Sequence, residues 1–296
     1  MKIRKLYICL TVAVLIGGGI WHASLHRPTG PAEGMEIQGA EFLVASSQAN
    51  SYENNSQLLV PIEVKKNQQS SRFRMATFNI HGCKGLDGRR DVDRVAKCLK
   101  GLDFVGLNEV QGSSLFEKQD QAALLGQRLG MAWLFAPSVR QWYCLESGNG
   151  LLTRAPVLAW HRIPLVRHVD YSYRNAVQVD LRQESELKSR MIHVLLTHVN
   201  RRYDSEREAQ LKEVISMFVG MAEPAVLLGD LNSTAQDPQI RQLMSSPGVI
   251  DAVGQVLGAK DPERIDWIFV RGLRCLDAGI VENDASDHPL IWAELE

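Results

Sequence analysis

The stretch AVLLGDLNSTAQDP, Ala225–Pro238, shows an arrangement that recurs along this chain. Its apolar run ends in the carboxylate of Asp230, and the amide of Asn232 follows two residues later. Short apolar runs of this kind are typical of buried β-strands. Because side chains two apart in a strand face the same side, we expect Asp230 and Asn232 to reach one common site, and we expect the same of Asn79 and His81 at the end of RMATFNIHG. Taken alone, GDLN is more often a turn or a helix cap, since Asp and Asn favour turns.

Similar polar residues follow other apolar runs from residue 72 onward. The predicted strands are RMATFNI, DFVGLNEV, AWLFAP, GLLTRAPVLAWHRI, NAVQVDL, MIHVLLTHV, AVLLGD, IDWIFV and HPLIWAEL. The residues of ligand type at or next to their ends are Asn79, His81, Glu109, Asn149, His198, Asp230, Asn232, Asp266, Asp287 and His288. Strand ends are positions at which a scaffold can hold several side chains around one cleft.

Two amphipathic segments predict surface helices. The segment DVDRVAKCLKG repeats apolar residues at helical spacing after the capping residue Asp91 and stops at Gly101. The second helix begins at Asp204 and places Leu211, Val214 and Phe218 on one face. Many strands with few helices predict an α/β (α+β) layered sandwich, in which helices cover two packed sheets.

The overall composition is that of an ordinary globular protein. The 296 residues are 45% hydrophobic and 23% charged, with a formal net charge of -1. This length suits one large domain or two small ones. The charge excludes a protein that holds nucleic acid mainly through an overall excess of basic residues, although a local basic patch stays open.

The N-terminus has the layout of an export signal. Lys2, Arg4 and Lys5 precede an apolar run from Leu6 to Trp21. We therefore expect residues 1–26 to be a cleaved signal peptide or an uncleaved anchor that holds the protein to the membrane through residues 6–21. The rest of the chain is then extracytoplasmic, either secreted, periplasmic or anchored. The polar composition of residues 27–71 predicts a linker or loose extension, whose apolar islands could add an edge strand, and residues 72–296 form the domain.

Four cysteines lie in the body of the chain. They are Cys83, Cys98, Cys144 and Cys275, and they allow three disulfide pairings that sequence does not distinguish. We favour free buried thiols, and no CxxC or Cys/His cluster predicts zinc.

The polar residues have the chemistry of a metal-assisted phosphoester site. The carboxylates Glu109 and Asp287 suit Mg²⁺ or Mn²⁺, which prefer oxygen ligands and retain waters that a phosphate can displace. Histidine side chains ordinarily titrate near neutral pH, so we expect His198 and His288 to move protons at a reacting phosphate.

Taken in order, the motifs TFNIHG, LNEV, GNGLLTR, TH, GDLN, RIDWIFV and SDHPL resemble the endonuclease/exonuclease/phosphatase superfamily. This superfamily includes deoxyribonuclease I, neutral sphingomyelinases and inositol-polyphosphate phosphatases. The resemblance covers about Arg72 to Glu296. It implies a deoxyribonuclease I-like four-layer sandwich, with helices outside two packed mixed β-sheets.

The resemblance also implies a role for each matching residue. Glu109 would be the principal metal ligand, with Asn79 and Asp287 near the same ion. Asp230 and Asn232 would orient or activate the attacking water and hold the phosphate. His288, paired with Asp266, would stabilise charge or transfer protons, and His198 matches a second histidine of deoxyribonuclease I-like members. The candidate substrate-binding residues are Asn79, His81, Asn149 and Arg201.

Three functions follow as hypotheses. The first is an exported, divalent-metal-dependent phosphodiesterase that acts on nucleic acid as a monomer, with Arg72, Arg74, Arg89, Arg90, Arg201 and Arg202 as candidate backbone contacts. The second is the same chemistry on a phospholipid or sphingomyelin headgroup, with Trp142 and Tyr143 as a small docking tip. The third, a binding module without turnover, is disfavoured because every residue expected for metal catalysis is retained.

Overall fold

The structure is a computed structural model. It describes residues 12–17, 27–34, 72–113, 119–140, 147–166, 173–184, 189–258 and 261–296. The candidate docking residues Trp142 and Tyr143, and also Cys144, lie outside these ranges. Residues 12–17 are helical and exposed. Among the helices in the described ranges, none combines the length and the apolar character needed to cross a membrane.

Besides the helical residues 12–17, the described residues form fourteen strands, five α-helices and one 3₁₀ turn. The strands are β1 (Arg27–Pro28), β2 (Ala32–Gly34), β3 (Phe73–Asn79), β4 (Phe104–Gln111), β5 (Ala132–Arg140), β6 (Ser147–Thr153), β7 (Val157–Pro164), β8 (Asn175–Glu184), β9 (Ser189–His198), β10 (Ala225–Asp230), β11 (Ile250–Asp251), β12 (Asp266–Arg271), β13 (Cys275–Val281) and β14 (Leu290–Leu295). The helices are α1 (Val92–Cys98), α2 (Gln121–Leu129), α3 (Asp204–Gly220), α4 (Pro238–Met244) and α5 (Ala252–Leu257). The 3₁₀ turn spans His81–Cys83.

The strands build two mixed sheets. The first sheet has the order β1-β5-β6-β4-β3-β14-β13, and the second has the order β11-β12-β10-β9-β8-β7-β2. The pairs β3/β4 and β9/β10 are parallel, whereas the other pairs in both sheets are antiparallel. The prediction of two packed mixed sheets with helices, a deoxyribonuclease I-like sandwich, is confirmed.

Alternation along the central strands produces three apolar cores. In β10, Val226 and Leu228 face the other sheet, whereas Ala225 and Leu227 face helices α3 and α4. The first sheet behaves likewise, because its outer face packs on α1 and α2. A strand that is buried on both faces has an almost continuous apolar sequence, which is why AVLL lacks a polar alternation.

Most of the predicted elements form, but one predicted strand is divided into two. Helix α1 is capped as expected, since the Asp91 side chain accepts a hydrogen bond from the Arg94 N–H. The segment GLLTRAPVLAWHRI, predicted as one strand, is divided into β6 and β7, which lie in different sheets. A turn before Pro156 separates them, and Pro156 cannot donate to a ladder.

Part of the predicted extension is ordered on the sandwich. β1 pairs with β5 at the edge of the first sheet, and β2 pairs with β7 at the edge of the second. Residues 27–34 thus contact both sheets, while the domain boundaries themselves stay predictions. Cys83, Cys98 and Cys275 are free thiols, in agreement with the favoured interpretation of the cysteines.

Candidate active site

Three neighbouring strands of the second sheet place their polar ends in one row. The register pairs Asp230 with His198 on one side and with Asp266 on the other. All three side chains are buried. The parallel strands β9 and β10 therefore end at the same level, and the antiparallel β12 begins there.

Close backbone approach at this end of β10 requires glycine. Gly229 has φ +139°, and a Cβ there would lie 1.9 Å from the carbonyl oxygen of Thr197. The next residues along the two strands are Asp230 and His198. A side chain at Gly229 would therefore push these two groups apart.

Asn79 joins this row to the other sheet. Its Nδ2 lies 3.1 Å from Asp230 Oδ2, 3.2 Å from Glu109 Oε1 and 3.5 Å from His288 Nε2. Its Oδ1 accepts a hydrogen bond from the backbone N–H of His81 at 3.1 Å. One buried amide thus brings together carboxylates from both sheets.

His288 and Asp266 form a close pair. The Nδ1 of His288 lies 2.7 Å from Asp266 Oδ2, and its Nε2 points towards Asp230 Oδ2 at 3.9 Å. Burial opposes protonation of His288, but the hydrogen bond to Asp266 and the charges of Asp266, Asp230 and Asp287 outweigh it. Together these effects raise the pKa of His288 to about 9. The ring is accordingly an imidazolium at neutral pH.

Burial shifts the pKa values of Asp230 and His198 so that the uncharged form of each side chain is favoured. Burial and the neighbouring Asp266 raise the pKa of Asp230 well above its usual range. Burial, followed by the charges of Arg174 and His288, lowers the pKa of His198 well below its ordinary value. His198 Nε2 lies 3.5 Å from Asp230 Oδ2, so a neutral imidazole faces a carboxyl group of raised basicity.

Two predicted pairs meet for a reason other than strand alternation. β10 ends at Asp230, and Asn232 has φ +48°, outside the strand. A turn brings it back, because Asp230 Oδ1 accepts the Asn232 N–H at 2.9 Å, while the Asn232 amide donates to Val199 O. Likewise β3 ends at Asn79, and His81 lies in the 3₁₀ turn with φ +47°. The alternation argument was wrong for both pairs.

Backbone strain concentrates at this site. In the described residues, the non-glycine positions with positive φ are His81, Cys83, Glu109 and Asn232. Glu109 has φ +56°, and the register between β4 and β6 shifts between Leu107 and Val110. Such conformations cost about 1–3 kcal/mol each and persist where the surrounding structure imposes them, often at functional sites.

The other predicted residues divide between the cluster and its surroundings. Asp287 is half-exposed, and its Oδ1 lies 3.3 Å from His81 Nδ1. Asn149 is buried, and its Oδ1 accepts a hydrogen bond from Asn108. Arg201 is exposed in the loop after β9, where its carbonyl accepts a bond from Arg207.

A cavity of about 310 Å³ opens beside the cluster. Of the predicted residues it is lined by His81, Glu109, Asn149 and His198. Lys84, Arg90 and Arg174 add positive charge to its wall. Of these three, the sequence analysis named only Arg90, as a candidate contact to a nucleic-acid backbone, and it missed Lys84 and Arg174. Arg174 directly precedes a predicted strand, which is the only signal that could have marked it.

Asn108 was also missed. Its Oδ1 accepts the Asp230 backbone N–H at 3.0 Å, and its Nδ2 donates to Asn149 Oδ1 and Thr197 O. Asn149 in turn donates to Asn175. This chain of buried amides links the two sheets beneath the site. An amide inside the apolar strand FVGLNEV was the available signal, because buried polar groups need partners.

The donor set fits a hard divalent cation. The ligand-type atoms of Asp230, Asp266 and His288 lie within 4.8 Å of one another. Because the pKa of His288 is raised to about 9, its ring is protonated at neutral pH, and the carboxylates of Asp230 and Asp266 are the cation ligands that this group offers. Asp266 Oδ1 is buried without a hydrogen-bond partner in the described residues. The predicted ligand Glu109 lies next to this group across Asn79, with its side chain half-buried. Carboxylate oxygens around one space are what Mg²⁺ or Mn²⁺ prefers.

The fold and the cluster together define a phosphoesterase-type scaffold, and the comparison of sequences agrees. Residues 76–288 match the model of the Endonuclease/Exonuclease/phosphatase family, and the chain belongs to that family. Members of this family hydrolyse phosphoester bonds. No curated protein matches the sequence significantly.

Solved structures of low sequence identity share the fold. An endonuclease/exonuclease/phosphatase family protein from Leptotrichia buccalis is 18% identical, with a TM-score of 0.60 over 76% of this chain and 99% of that one. D. rerio TDP2 complexed with a single strand DNA product is 18% identical, with a TM-score of 0.57 over 77% and 100%. A mannosyl-6-phosphatase from Bacteroides thetaiotaomicron is 16% identical, with a TM-score of 0.55 over 76% and 99%.

Proposed function

We propose that this protein is an exported, divalent-metal-dependent phosphodiesterase that hydrolyses its substrate by in-line attack of water. The observation that carries the proposal is the contact of one buried amide, Asn79, with Glu109, Asp230 and His288. Asn79 thereby lies among a candidate metal ligand, Glu109, a candidate base, Asp230, and a candidate cationic group, His288. A nucleic acid is the favoured substrate, in keeping with the single strand DNA product bound to the similar TDP2 structure.

The residues of the site have different catalytic roles according to their protonation states. Asp230, with its raised pKa, is a competent acceptor for the proton of the attacking water. The His288 imidazolium, held by Asp266, can donate a hydrogen bond to the phosphate oxygens as negative charge develops on them. Asn232, in the turn after β10, can help to orient the water. A bound Mg²⁺ or Mn²⁺ would neutralise charge on the phosphate, with Glu109 and Asp287 as its proposed ligands near Asn79.

The test is hydrolysis by the full-length protein of a bis-aryl phosphodiester, plasmid DNA, RNA and sphingomyelin, each with Mg²⁺ and with EDTA. We expect metal-dependent cleavage of the diester and of a nucleic acid. Asp230→Asn should abolish turnover while the thermal unfolding profile stays that of a folded protein. The matched variant Asp261→Asn, at an exposed residue, should keep full activity. Activity that persists in EDTA or in Asp230→Asn would contradict the proposal.

The same panel, with an aryl monophosphate added, separates the alternative substrates. The similar mannosyl-6-phosphatase is named for a phosphomonoester. Cleavage of aryl monophosphate but not of the diester would therefore replace a phosphodiesterase by a phosphatase with the same site. Cleavage of sphingomyelin alone would favour the lipid headgroup hypothesis.

Export is proposed from the N-terminal sequence. Lys2, Arg4 and Lys5 before the apolar run support it. We expect protease added to intact cells, with the outer envelope opened where there is one, to digest the protein while a cytoplasmic marker stays intact. Protection equal to that of the marker would contradict export.

A further inference from the structure

Two basic side chains stand opposite each other in the loop between β3 and α1. Lys84 and Arg90 form an isolated antiparallel bridge. The backbone hydrogen bonds from Gly85 N to Arg89 O, at 3.0 Å, and from Asp91 N to Cys83 O, at 2.8 Å, close the loop around this bridge. The backbone thus holds the two residues at a single rung, where their side chains lie on the same face.

Their charges are not compensated by the acids of the same loop. Arg94 engages these acids, with Nη2 3.1 Å from Asp87 Oδ2 and Nε 3.8 Å from Asp91 Oδ2. In the part of the chain that the structure describes, neither Lys84 nor Arg90 forms an ion pair. Like charges directly opposite one another destabilise a strand pair. An anion between them would remove that cost.

The pair opens onto the active-site cavity. Lys84 and Arg90 line the same 310 Å³ space as Glu109 and His198. Arg174 lines it too, and its charge contributes to the lowered pKa of His198. Three cations therefore share this wall with one carboxylate, which is proposed to bind the metal. The volume lies at the small end of ligand pockets, which are about 300–1,000 Å³.

Neighbouring residues fix the position of Arg90. Its Nη1 donates to Gln111 Oε1, and the Gln111 backbone N–H donates to Gln121 Oε1 at 2.9 Å. Gln121 also donates to Gly82 O at 2.8 Å. Gly82 has φ +59°, and a Cβ there would lie 2.5 Å from Gln111 Nε2, so the Gln111 side chain has room only beside glycine. A supported guanidinium is characteristic of a binding group rather than of a freely solvated side chain.

We propose that Lys84 and Arg90 bind a second phosphate group of the substrate, adjacent to the phosphate that is cleaved. The preferred substrate is then a compact organic phosphate with two phosphate groups, such as the phosphorylated end of an oligonucleotide, rather than a diester without further charge. This inference rests on the proposed function for its catalytic part. Lys and Arg both bind phosphate, Arg by its planar fork and Lys as a point charge.

The kinetic test compares thymidine dinucleotides that carry a terminal 5′- or 3′-phosphate with the unphosphorylated dinucleotide, using the full-length protein and Mg²⁺. We expect one of the terminal phosphates to raise kcat/KM by about tenfold or more, as one charge-assisted contact allows. Lys84→Gln and Arg90→Gln should each reduce this ratio towards one. Lys100→Gln, at an exposed basic residue outside the cavity lining, should keep the wild-type ratio. A wild-type ratio of one for both phosphates, or equal losses in Lys100→Gln, would overturn the proposal.

Calorimetric titration with inorganic pyrophosphate in EDTA tests the same site without turnover. We expect Lys84→Gln and Arg90→Gln to weaken binding by about tenfold, with Lys100→Gln unchanged. Equal affinity in all four proteins would overturn the anion site. If this pattern holds while no phosphoester is hydrolysed with Mg²⁺, the proposed function fails and the anion site stands. If the bis-aryl diester is hydrolysed but the terminal phosphates and pyrophosphate have no effect, only the second-phosphate proposal fails.

Discussion

The Nδ1 atom of His288 lies 2.7 Å from Oδ2 of Asp266, and both side chains come from strand ends of different sheets. Asp266 begins β12 in the second sheet, whereas His288 precedes β14 in the first. The pair therefore joins the two halves of the sandwich at the candidate active site. It also keeps His288 protonated at neutral pH, which gives the site a fixed positive charge.

Replacing Asp266 should change the pH dependence of catalysis. Asp266→Asn removes both the hydrogen-bonded and the charged partner that raise the pKa of His288. We expect kcat/KM to fall by about 10²-fold or more, as for loss of a general acid–base group. The alkaline limb of the profile should move from near 9 to lower pH. The exposed control Asp277→Asn should leave the profile unchanged, and an unshifted limb in Asp266→Asn would contradict this role.

Removing the charge of Glu109 should weaken metal binding without unfolding the protein. Glu109→Gln keeps an oxygen that can accept the Asn79 hydrogen bond but loses the carboxylate charge. We expect the Mn²⁺ affinity, measured by calorimetry, to drop by about tenfold or more, because substitutions at or next to the ligands of a metal site typically reduce the metal affinity 10–100-fold. Glu282→Gln, at an exposed residue, serves as the control. Wild-type Mn²⁺ affinity in Glu109→Gln would contradict the proposal that Glu109 is a metal ligand.

The stability of the metal-free protein should fall as the solution becomes alkaline. The pKa of His288 is about 9 in the folded protein against an ordinary value of 6.5, so protonation stabilises the fold fully below 6.5 and this contribution is lost as pH rises through 9. The raised pKa of Asp230 acts with the same sign at lower pH. In EDTA, the free energy of unfolding of the wild-type protein, measured with urea, should decline between pH 6.5 and 9 by on the order of 3 kcal/mol. This decline should be absent in His288→Asn. An unchanged decline would contradict the shifted pKa.

Asn108 should matter for stability although it does not line the active-site cavity. Asn108→Leu leaves the Asp230 N–H, the Thr197 carbonyl and Asn149 Oδ1 without their partner. We expect the free energy of unfolding to fall by about 2–4 kcal/mol, because buried polar groups that lose their hydrogen-bond partners no longer recover the free energy of the hydration that they lose on folding. Urea unfolding measures this, with the exposed Gln255→Leu as control. A loss no larger than in the control would show that the amide chain is not a structural link.

The fold was predictable because its strands carry two independent signals. Continuous apolar runs such as AVLL identify strands that are buried on both faces, and the residues that end them mark one edge of the sandwich. β13 was missed because it lies half-exposed at the edge of the first sheet, so that its sequence CLDAGIV shows neither a continuous apolar run nor a regular alternation. Helix α2 was also missed, although Asp120 caps it and Gly130 ends it with φ +60°.

The site was only partly predictable because its geometry depends on turns and on contacts between distant residues. The proximity of Asn232 to Asp230 comes from a turn with positive φ, which a periodicity of two does not express. Lys84 and Arg90 lie six residues apart in a loop, and only the bridge between them shows that they share a face. Asn108 contacts residues that are 41 and 122 positions away, so no local pattern reveals its role.

In the proposed reaction, a metal-activated water attacks phosphorus at the site around Asp230. Hydrolysis of a bis-aryl phosphodiester in H₂¹⁸O with Mg²⁺, followed by mass analysis of both products, tests this step. We expect the ¹⁸O label to appear in the phosphate product, and we expect neither EDTA-treated protein nor Asp230→Asn to form labelled product. Label in the alcohol, or turnover that survives both EDTA and Asp230→Asn, would contradict it.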